Sequence, residues 1–209
     1  MKYDKKTHVI YRILFWICRI FLFVYHPYRL TGRERIPEGP CMLCANHSGF
    51  ADPIWIFLLL NGAYPPWSMG RKSLFEKPLL RKLLPFLGSF PVDRDNPDLS
   101  AVKKSLSILK EGHQLLIFPE GTRVKKGKKS EPKSGAVMLA NRAGVPIVPI
   151  YITHGRKPFC PVRVVAGEAY TPEFASRRPD ANELEVATKE MMGKIYDLGT
   201  KNVKRITNN

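Results

Sequence analysis

His47 and Asp52 stand five residues apart in the stretch CANHSGFADP, residues 44–53. Side chains that meet on one helical face are three or four positions apart, so this is not a helical pairing. It suits a chain that leaves a strand, turns, and enters a helix carrying the carboxylate in its first turn. The loop SGFA can then fold back, and Asp52 can accept a hydrogen bond from one imidazole nitrogen. That bond fixes the tautomer and leaves the other nitrogen as a base. This is the His–Asp half of a hydrolase triad, with a substrate hydroxyl able to take the nucleophile's place. Ser48 is adjacent but does not sit in a G-x-S-x-G elbow. The same residues also fit a helix-capping Asp52 beside a surface His47, and spacing alone favours that plainer arrangement.

A second constellation is IFPEGTR, residues 117–123, where an apolar run meets a turn bearing Glu120 and Arg123. A planar guanidinium suits bidentate binding of a phosphate. Glu120 would repel the same phosphate, so its expected task is to orient cationic groups or bond a substrate hydroxyl. An ordinary turn with a surface ion pair is the alternative. GSFPVDR, residues 88–94, ends an extended stretch on Arg94, and VPIVPI, residues 145–150, sets Pro149 inside a strand-like run. Proline removes a ladder hydrogen bond, so an edge or irregular strand is expected there.

The elements that must position these residues alternate in type. CMLCAN, PWSMG, SFPVDR, QLLIFPEG, VPIVPIYITH and VRVVAGEAY read as strands. DPIWIFLLLN, KPLLRKLLPFLG, NPDLSAVKKSLSILKEG, KSGAVMLANRAG and ANELEVATKEMMGKIYDLG read as helices. In the third of these, Leu99, Val102, Leu106 and Leu109 are expected on one buried face. In the last, Leu184, Met191, Ile195 and Leu198 keep helical register. The alternation predicts an α/β fold: a single layered domain with a mostly parallel central sheet flanked by helices. Loops after strand ends are where such folds keep ligands and chemistry.

Residues 9–25 form an apolar stretch barely long enough to span a bilayer, which takes about 20 residues, and Arg12 and Arg19 interrupt it. That pattern suits a helix lying in the membrane interface, with Lys2, Lys5 and Lys6 near anionic headgroups. A surface helix of the domain is the plainer alternative. The arginines and the lack of a small-residue cleavage site argue against a cleaved signal peptide. The expected division is therefore 1–28, an N-terminal membrane-interface helix, and 29–209, the catalytic domain.

The chain has 209 residues, 44% of them hydrophobic, so it can bury a core. Its formal charge of +16 points to anionic partners: membrane, phosphorylated ligand or nucleic acid. No helix-turn-helix, zinc or aromatic RNA-binding signature accompanies it, which argues against nucleic acid. Cys18, Cys41, Cys44 and Cys160 form no framework and read as reduced, as in a cytoplasm. Cys41 and Cys44, on one strand, would face opposite sides and could not easily share a metal.

Together the blocks carry a resemblance. NHSGFAD, GSFPVDR, FPEGTR and VPIVPI, in that order and spacing, resemble the motifs of the 1-acyl-sn-glycerol-3-phosphate acyltransferases, over residues 31–150. The resemblance implies that His47, oriented by Asp52, takes the proton of the glycerol 2-hydroxyl as it attacks an acyl thioester. It implies that Arg123, helped by Arg94, holds the acceptor phosphate, with Glu120, Gly121 and Thr122 shaping the pocket. Lys72, in MGRKSLF, is a further cationic candidate. Backbone amides near His47 are candidates for an oxyanion hole. No metal or other cofactor is implied; the co-substrate is the thioester of coenzyme A or of an acyl carrier protein. The implied partners are lysophosphatidate, a membrane surface with anionic lipid and, as the alternative donor, that carrier protein, which the basic loop RVKKGKKSEPK could also meet. The implied place is the cytoplasmic face of the cell membrane, peripheral or monotopic. A relative acting on glycerol-3-phosphate or another lysophospholipid is the alternative; a nucleic-acid-binding or membrane adaptor module is the distant one.

Overall fold

Apolar runs without polar alternation suit strands covered on both faces, and MLCA, LLI and IVPIYI become adjacent strands at the centre of a sheet. The computed structural model describes residues 5–61, 65–94, 96–124, 130–153, 159–176 and 178–207, with 5–8 and 201–207 described by backbone alone. In chain order the elements are α1 Lys5–Tyr25, β1 Tyr28–Thr31, β2 Met42–Ala45, α2 Asp52–Leu59, β3 Trp67–Arg71 and α3 Pro78–Phe86. There follow β4 Ser89–Val92, α4 Leu99–Lys110, β5 Leu115–Ile117, α5 Gly135–Ala143, β6 Ile147–Ile152, β7 Val162–Ala166 and α6 Ala181–Thr207. Two short 3-10 turns, Arg33–Arg35 and Lys72–Leu74, complete them.

The strands form one seven-stranded sheet in the order β1-β7-β6-β2-β5-β3-β4. All its pairs are parallel except β6 with β7, where Ile150 faces Ala166. The mostly parallel α/β sheet expected from the sequence is therefore the fold. Two apolar layers cover it. Cys41, Leu43 and Ala45 join α1 and α2 on one face, with Trp55, Ile56 and Leu59. Met42 and Cys44 join α4, α5 and α6 on the other, with Ile108, Val137, Met191 and Ile195. Cys41 and Cys44 thus point to opposite layers, both fully buried and unbonded, and burial pushes the Cys41 thiol up to about 12.

Three details differ from expectation. β1, unmarked by any long apolar run, adds an edge strand beside β7. Pro149 sits in an interior strand, not at an edge: it is in register with Cys44 of β2. Its carbonyl accepts from Gly167 N at 2.8 Å, just past the end of β7. The missing N–H faces that same side, between the end of β7 and the isolated Ile147–Tyr170 pair, so the proline falls where the pairing is already irregular. In α4 the buried residues are Ala101, Ser105, Ile108 and Leu109, while Leu99 in the first turn is 73% exposed. Leu109 is buried as expected and Val102 and Leu106 pack partly against the same layer, but Ala101 and Ser105 share the buried face and Leu99 does not.

α1 lays Tyr11, Phe15 and Leu22 on the core, and Phe15 meets Phe57 of α2 edge to face at 5.9 Å. Its other sides expose Val9, Ile13, Trp16, Ile17, Ile20, Phe21, Phe23 and Val24. Arg12 and Arg19 are exposed as well, Arg19 lying 5.2 Å over the Trp16 ring. Among the described residues no helix is long and apolar enough to cross a membrane.

Candidate active site

The C-terminal ends of β2, β5, β3 and β4 lie on one edge, because these strands are parallel. They deliver there the residues singled out by sequence: His47 after β2, residues 118–123 after β5, Lys72 after β3 and Arg94 after β4.

Asn46 follows β2 and is fully buried. Its side chain donates to Ile152 O at 2.8 Å and accepts from Ile152 N at 2.7 Å, extending the ladder to β6 by one amide. The strand is thereby pinned at the point where it releases His47. The chain then wraps around the Asp52 carboxylate. Oδ2 accepts from Ser48 N at 2.6 Å, Gly49 N at 2.7 Å and His47 Nδ1 at 2.8 Å. Three donors offset the cost of burying a carboxylate that has no solvent exposure. Its place in the first turn of α2, before Pro53, adds the favourable field of a helix N-terminus. A carboxylate only accepts, so neutral His47 carries its proton on Nδ1 and keeps the Nε2 lone pair. The five-residue spacing therefore makes a pair; Asp52 gathers the loop amides before α2, while the helix cap itself is Ala51, with no side-chain cap bond.

The β5 loop locks onto the same histidine. Phe118 stacks on the imidazole, ring centroids 4.2 Å apart at 22°. Glu120 Oε2 accepts from His47 N at 2.7 Å, and Val124 N donates to His47 O at 2.8 Å. Tyr196 OH of α6 donates to the other oxygen, Oε1. Glu120 is 4% exposed with both oxygens engaged by the protein. Its carboxylate faces inward, between the His47 backbone and Tyr196. The oxyanion candidates also shift: the amides of His47, Ser48 and Gly49 are committed to Glu120 and Asp52.

Gly121 turns the loop. Its φ of 67° lies in the left-handed region that favours glycine, and its N–H closes a turn on Phe118 O at 3.0 Å. Arg94 donates to Gly121 O, so it braces this turn from the β4 side. Arg123 is exposed, its guanidinium 3.6 Å above the ring of Phe50, itself 78% exposed in the loop between His47 and Asp52. Thr122 beside it is exposed too, and so is Lys72, in the 3-10 turn after β3. Residues 125–129 of the basic loop lie outside the described residues.

The sequence carried no local signal for Asn46, Phe118 or Tyr196. Asn46 and Phe118 are neighbours of flagged residues whose types alone suggest strand ends. Tyr196 comes from 76 positions downstream. The remaining histidines fall elsewhere: His26 is buried with Nδ1 3.1 Å from Cys160 O, and His113 tilts against Trp67. His154 lies outside the described residues, as does the side chain of His8.

A His–Asp pair mounted at the C-terminal edge of a mostly parallel sheet, with arginines on the neighbouring loops, defines the class of this fold and site. The chain belongs to the Acyltransferase family, whose model matches residues 28–153, more than half of its length. It is 32% identical over 143 residues to the 1-acyl-sn-glycerol-3-phosphate acyltransferase of Pseudomonas aeruginosa, a match covering 66% of this chain and 53% of that protein. The chain thus spans about half the length of that relative. With the enzyme of the same name from Bacillus subtilis it shares 28% identity over 179 residues, 83% of this chain and 88% of the other. The crystal structure of the 1-acyl-sn-glycerophosphate acyltransferase PlsC from Thermotoga maritima has the same fold, with a TM-score of 0.71 at 23% identity, over 98% of this chain and 84% of that one.

Proposed function

We propose that this protein moves a fatty acyl group from an acyl thioester to the 2-hydroxyl of 1-acyl-glycerol-3-phosphate, giving phosphatidic acid. The observation that carries the reading is the 2.8 Å bond from His47 Nδ1 to the buried Asp52 carboxylate, which leaves Nε2 basic. Two relatives that bear the acyltransferase name support the choice of acceptor.

Nε2 takes the hydroxyl proton as the glycerol oxygen attacks the thioester carbonyl carbon. The tetrahedral intermediate collapses with cleavage of the C–S bond, and the imidazolium returns its proton to the leaving thiolate. Asp52 stabilises the imidazolium between the two steps. Base assistance of this kind contributes on the order of 10²–10⁴-fold. Arg123 holds the acceptor phosphate, Arg94 and Gly121 set the turn that presents it, Thr122 lines the same loop, and Lys72 adds positive charge on the shared edge. Glu120 acts through His47, fixing its backbone. The donor is a thioester of coenzyme A or acyl carrier protein. Residues 1–28 place the catalytic unit, 29–209, on the cytoplasmic face of an anionic membrane.

The test is transfer of labelled acyl groups to lysophosphatidate, to glycerol-3-phosphate and to other lysophospholipids, with both donors compared. Lysophosphatidate is expected to be the preferred acceptor, and His47→Ala to abolish transfer with the melting temperature kept. Wild-type rates in that variant would remove the base assignment.

A further inference from the structure

The exposed face of α1 does not end with α1. α3 is the helix that buries none of its residues. Leu79, Leu83 and Phe86, at positions i, i+4 and i+7, lie along one stripe of it. Leu79 is 77% exposed and Leu83 40%. Phe86, at the stripe's end, touches Tyr11 of α1, ring centroids 4.9 Å apart, and its carbonyl accepts the Tyr11 hydroxyl. α3 therefore lies against the N-terminal half of α1. At the other end of α1, Phe159 packs on Tyr25 at 5.7 Å and donates its N–H to Tyr25 O at 2.8 Å. Phe159 has φ 62° yet keeps its ring 70% exposed. A bulky residue in the left-handed region is costly, and such strain persists where the surroundings hold it.

These three segments make one surface whose charge says what covers it. Neither α1 nor α3 contains an acidic residue. Arg12, Arg19, Lys77, Arg81 and Lys82 are exposed around the apolar side chains. Long basic side chains beside an apolar stripe can lay their stems on it and lift their charges to a plane of anions. A second copy of this chain would bring like charge to like charge.

We propose that α3 is a second bilayer contact: its Leu79–Leu83 stripe and basic flank enter an anionic lipid surface together with the outer face of α1, and Phe159 is the third point of contact. A lone helix can roll about its own axis at a membrane, whereas three points fix a plane. α1 ends, through β1, at the same sheet edge that carries His47, so this plane sets how the site meets lipid. The proposal rests on the membrane reading given above. It is tested by binding, not by turnover, so a failed acyl-transfer assay leaves its test intact.

Full-length protein is sedimented with phosphatidylcholine vesicles, with and without phosphatidylglycerol. Leu79→Ser with Leu83→Ser is expected to weaken partition to both kinds by about tenfold. Arg81→Glu with Lys82→Glu is expected to weaken it on the anionic vesicles alone, and less so at high salt. Phe159→Ser is expected to fall between wild type and the leucine pair. Leu79→Trp keeps the apolar surface, and in a Trp16→Phe background it is expected to add emission that brominated lipid quenches, beyond what Trp16→Phe alone shows. Wild-type partition by the leucine pair, or an unquenched Trp at position 79, overturns the proposal. So does an Arg81→Glu/Lys82→Glu variant that keeps its vesicle binding but loses an acidic carrier protein.

Discussion

At the scale of residues, the site is an interlock of two loops around one imidazole. Asp52→Asn keeps the volume, and its amide oxygen can take the Oδ2 place that accepts all three donors, but it brings no negative charge to stabilise the imidazolium. kcat is expected to fall by roughly 10²–10⁴ with KM little changed; unchanged kcat would make Asp52 only a holder of the loop. Tyr196→Phe removes the donor on Glu120 Oε1, an oxygen on a nearly buried side chain. Burial first, then the bond to Glu120, pushes the Tyr196 hydroxyl up from its ordinary value, so it stays a donor well above neutral pH. The variant is expected to lower kcat severalfold and to lose stability, while a merely peripheral tyrosine would leave kcat alone. Arg123→Lys keeps charge but replaces a fork by a point contact. Losing one charge-assisted bond costs about 1.5–3 kcal/mol, or about ten- to a hundredfold in kcat/KM, seen in KM for lysophosphatidate and not for the thioester. A defect confined to the donor would move Arg123 to the other pocket. His47, Asp52, Gly121, Arg94 and Arg123 were legible because each lies in a short block whose residue types announce a turn and a charge. The bond between Glu120 and Tyr196 was not legible, because that tyrosine belongs to a helix that only tertiary packing brings near.

At the scale of elements, local pattern located the helices well and their buried faces less well. α5 ends where glycine takes φ 65° at Gly144, a stop visible in the sequence. The face of α4 was visible in part: Val102, Leu106 and Leu109 pack on the core layer, while the buried Ala101 and Ser105 carry no hydrophobic signal that ranks them above the exposed Leu99. The start of α4 matters to the site. Asp98 accepts from Ala101 N at 2.9 Å and Ser100 Oγ at 2.6 Å, and from Asp93 N at 3.0 Å. The cap thus holds the residue before Arg94. The Ser100 hydroxyl, then the Asp93 and Ala101 amides, lower the Asp98 carboxyl to about 2 from an ordinary 3.8. A depressed folded value adds stability that is present above the ordinary value and is lost as pH falls through the folded one. Wild type is therefore expected to lose a share of its stability between pH 3.8 and about 2. Asp98→Ala should melt lower at neutral pH and show a shallower acid limb over that window. It should also raise KM for the acceptor through Arg94. Parallel acid limbs in the two proteins would show that the cap is not the titrating group.

At the scale of the whole molecule, the question is whether 1–28 and 29–209 are separable units. The sequence suggested that they are, because an apolar, arginine-studded helix reads as an anchor whichever side of it faces protein. α1 is two-sided instead. Phe15 and Leu22 are buried against the layer that contains Trp55 and Phe57, and Tyr11 is buried against Phe86 of α3, while Ile13, Ile17 and Ile20 are more than half exposed. Fully burying one large apolar side chain is worth about 1.5–3 kcal/mol. Three of them amount to a large share of a domain stability of about 5–15 kcal/mol. Removing residues 1–25 should therefore do more than release the protein from vesicles. It should lower the melting temperature strongly and uncover Trp55, which is wholly buried in the intact chain. Serine at Ile13, Ile17 and Ile20 together should keep the melting temperature and weaken vesicle partition, because those side chains touch no core. High salt should weaken partition of the intact protein less than the triple serine change does, since the apolar contribution is not screened. Melting curves and co-sedimentation of both forms decide the matter. A truncated protein that melts like the intact one would mean that α1 is an appendage and that residues 29–209 fold without it.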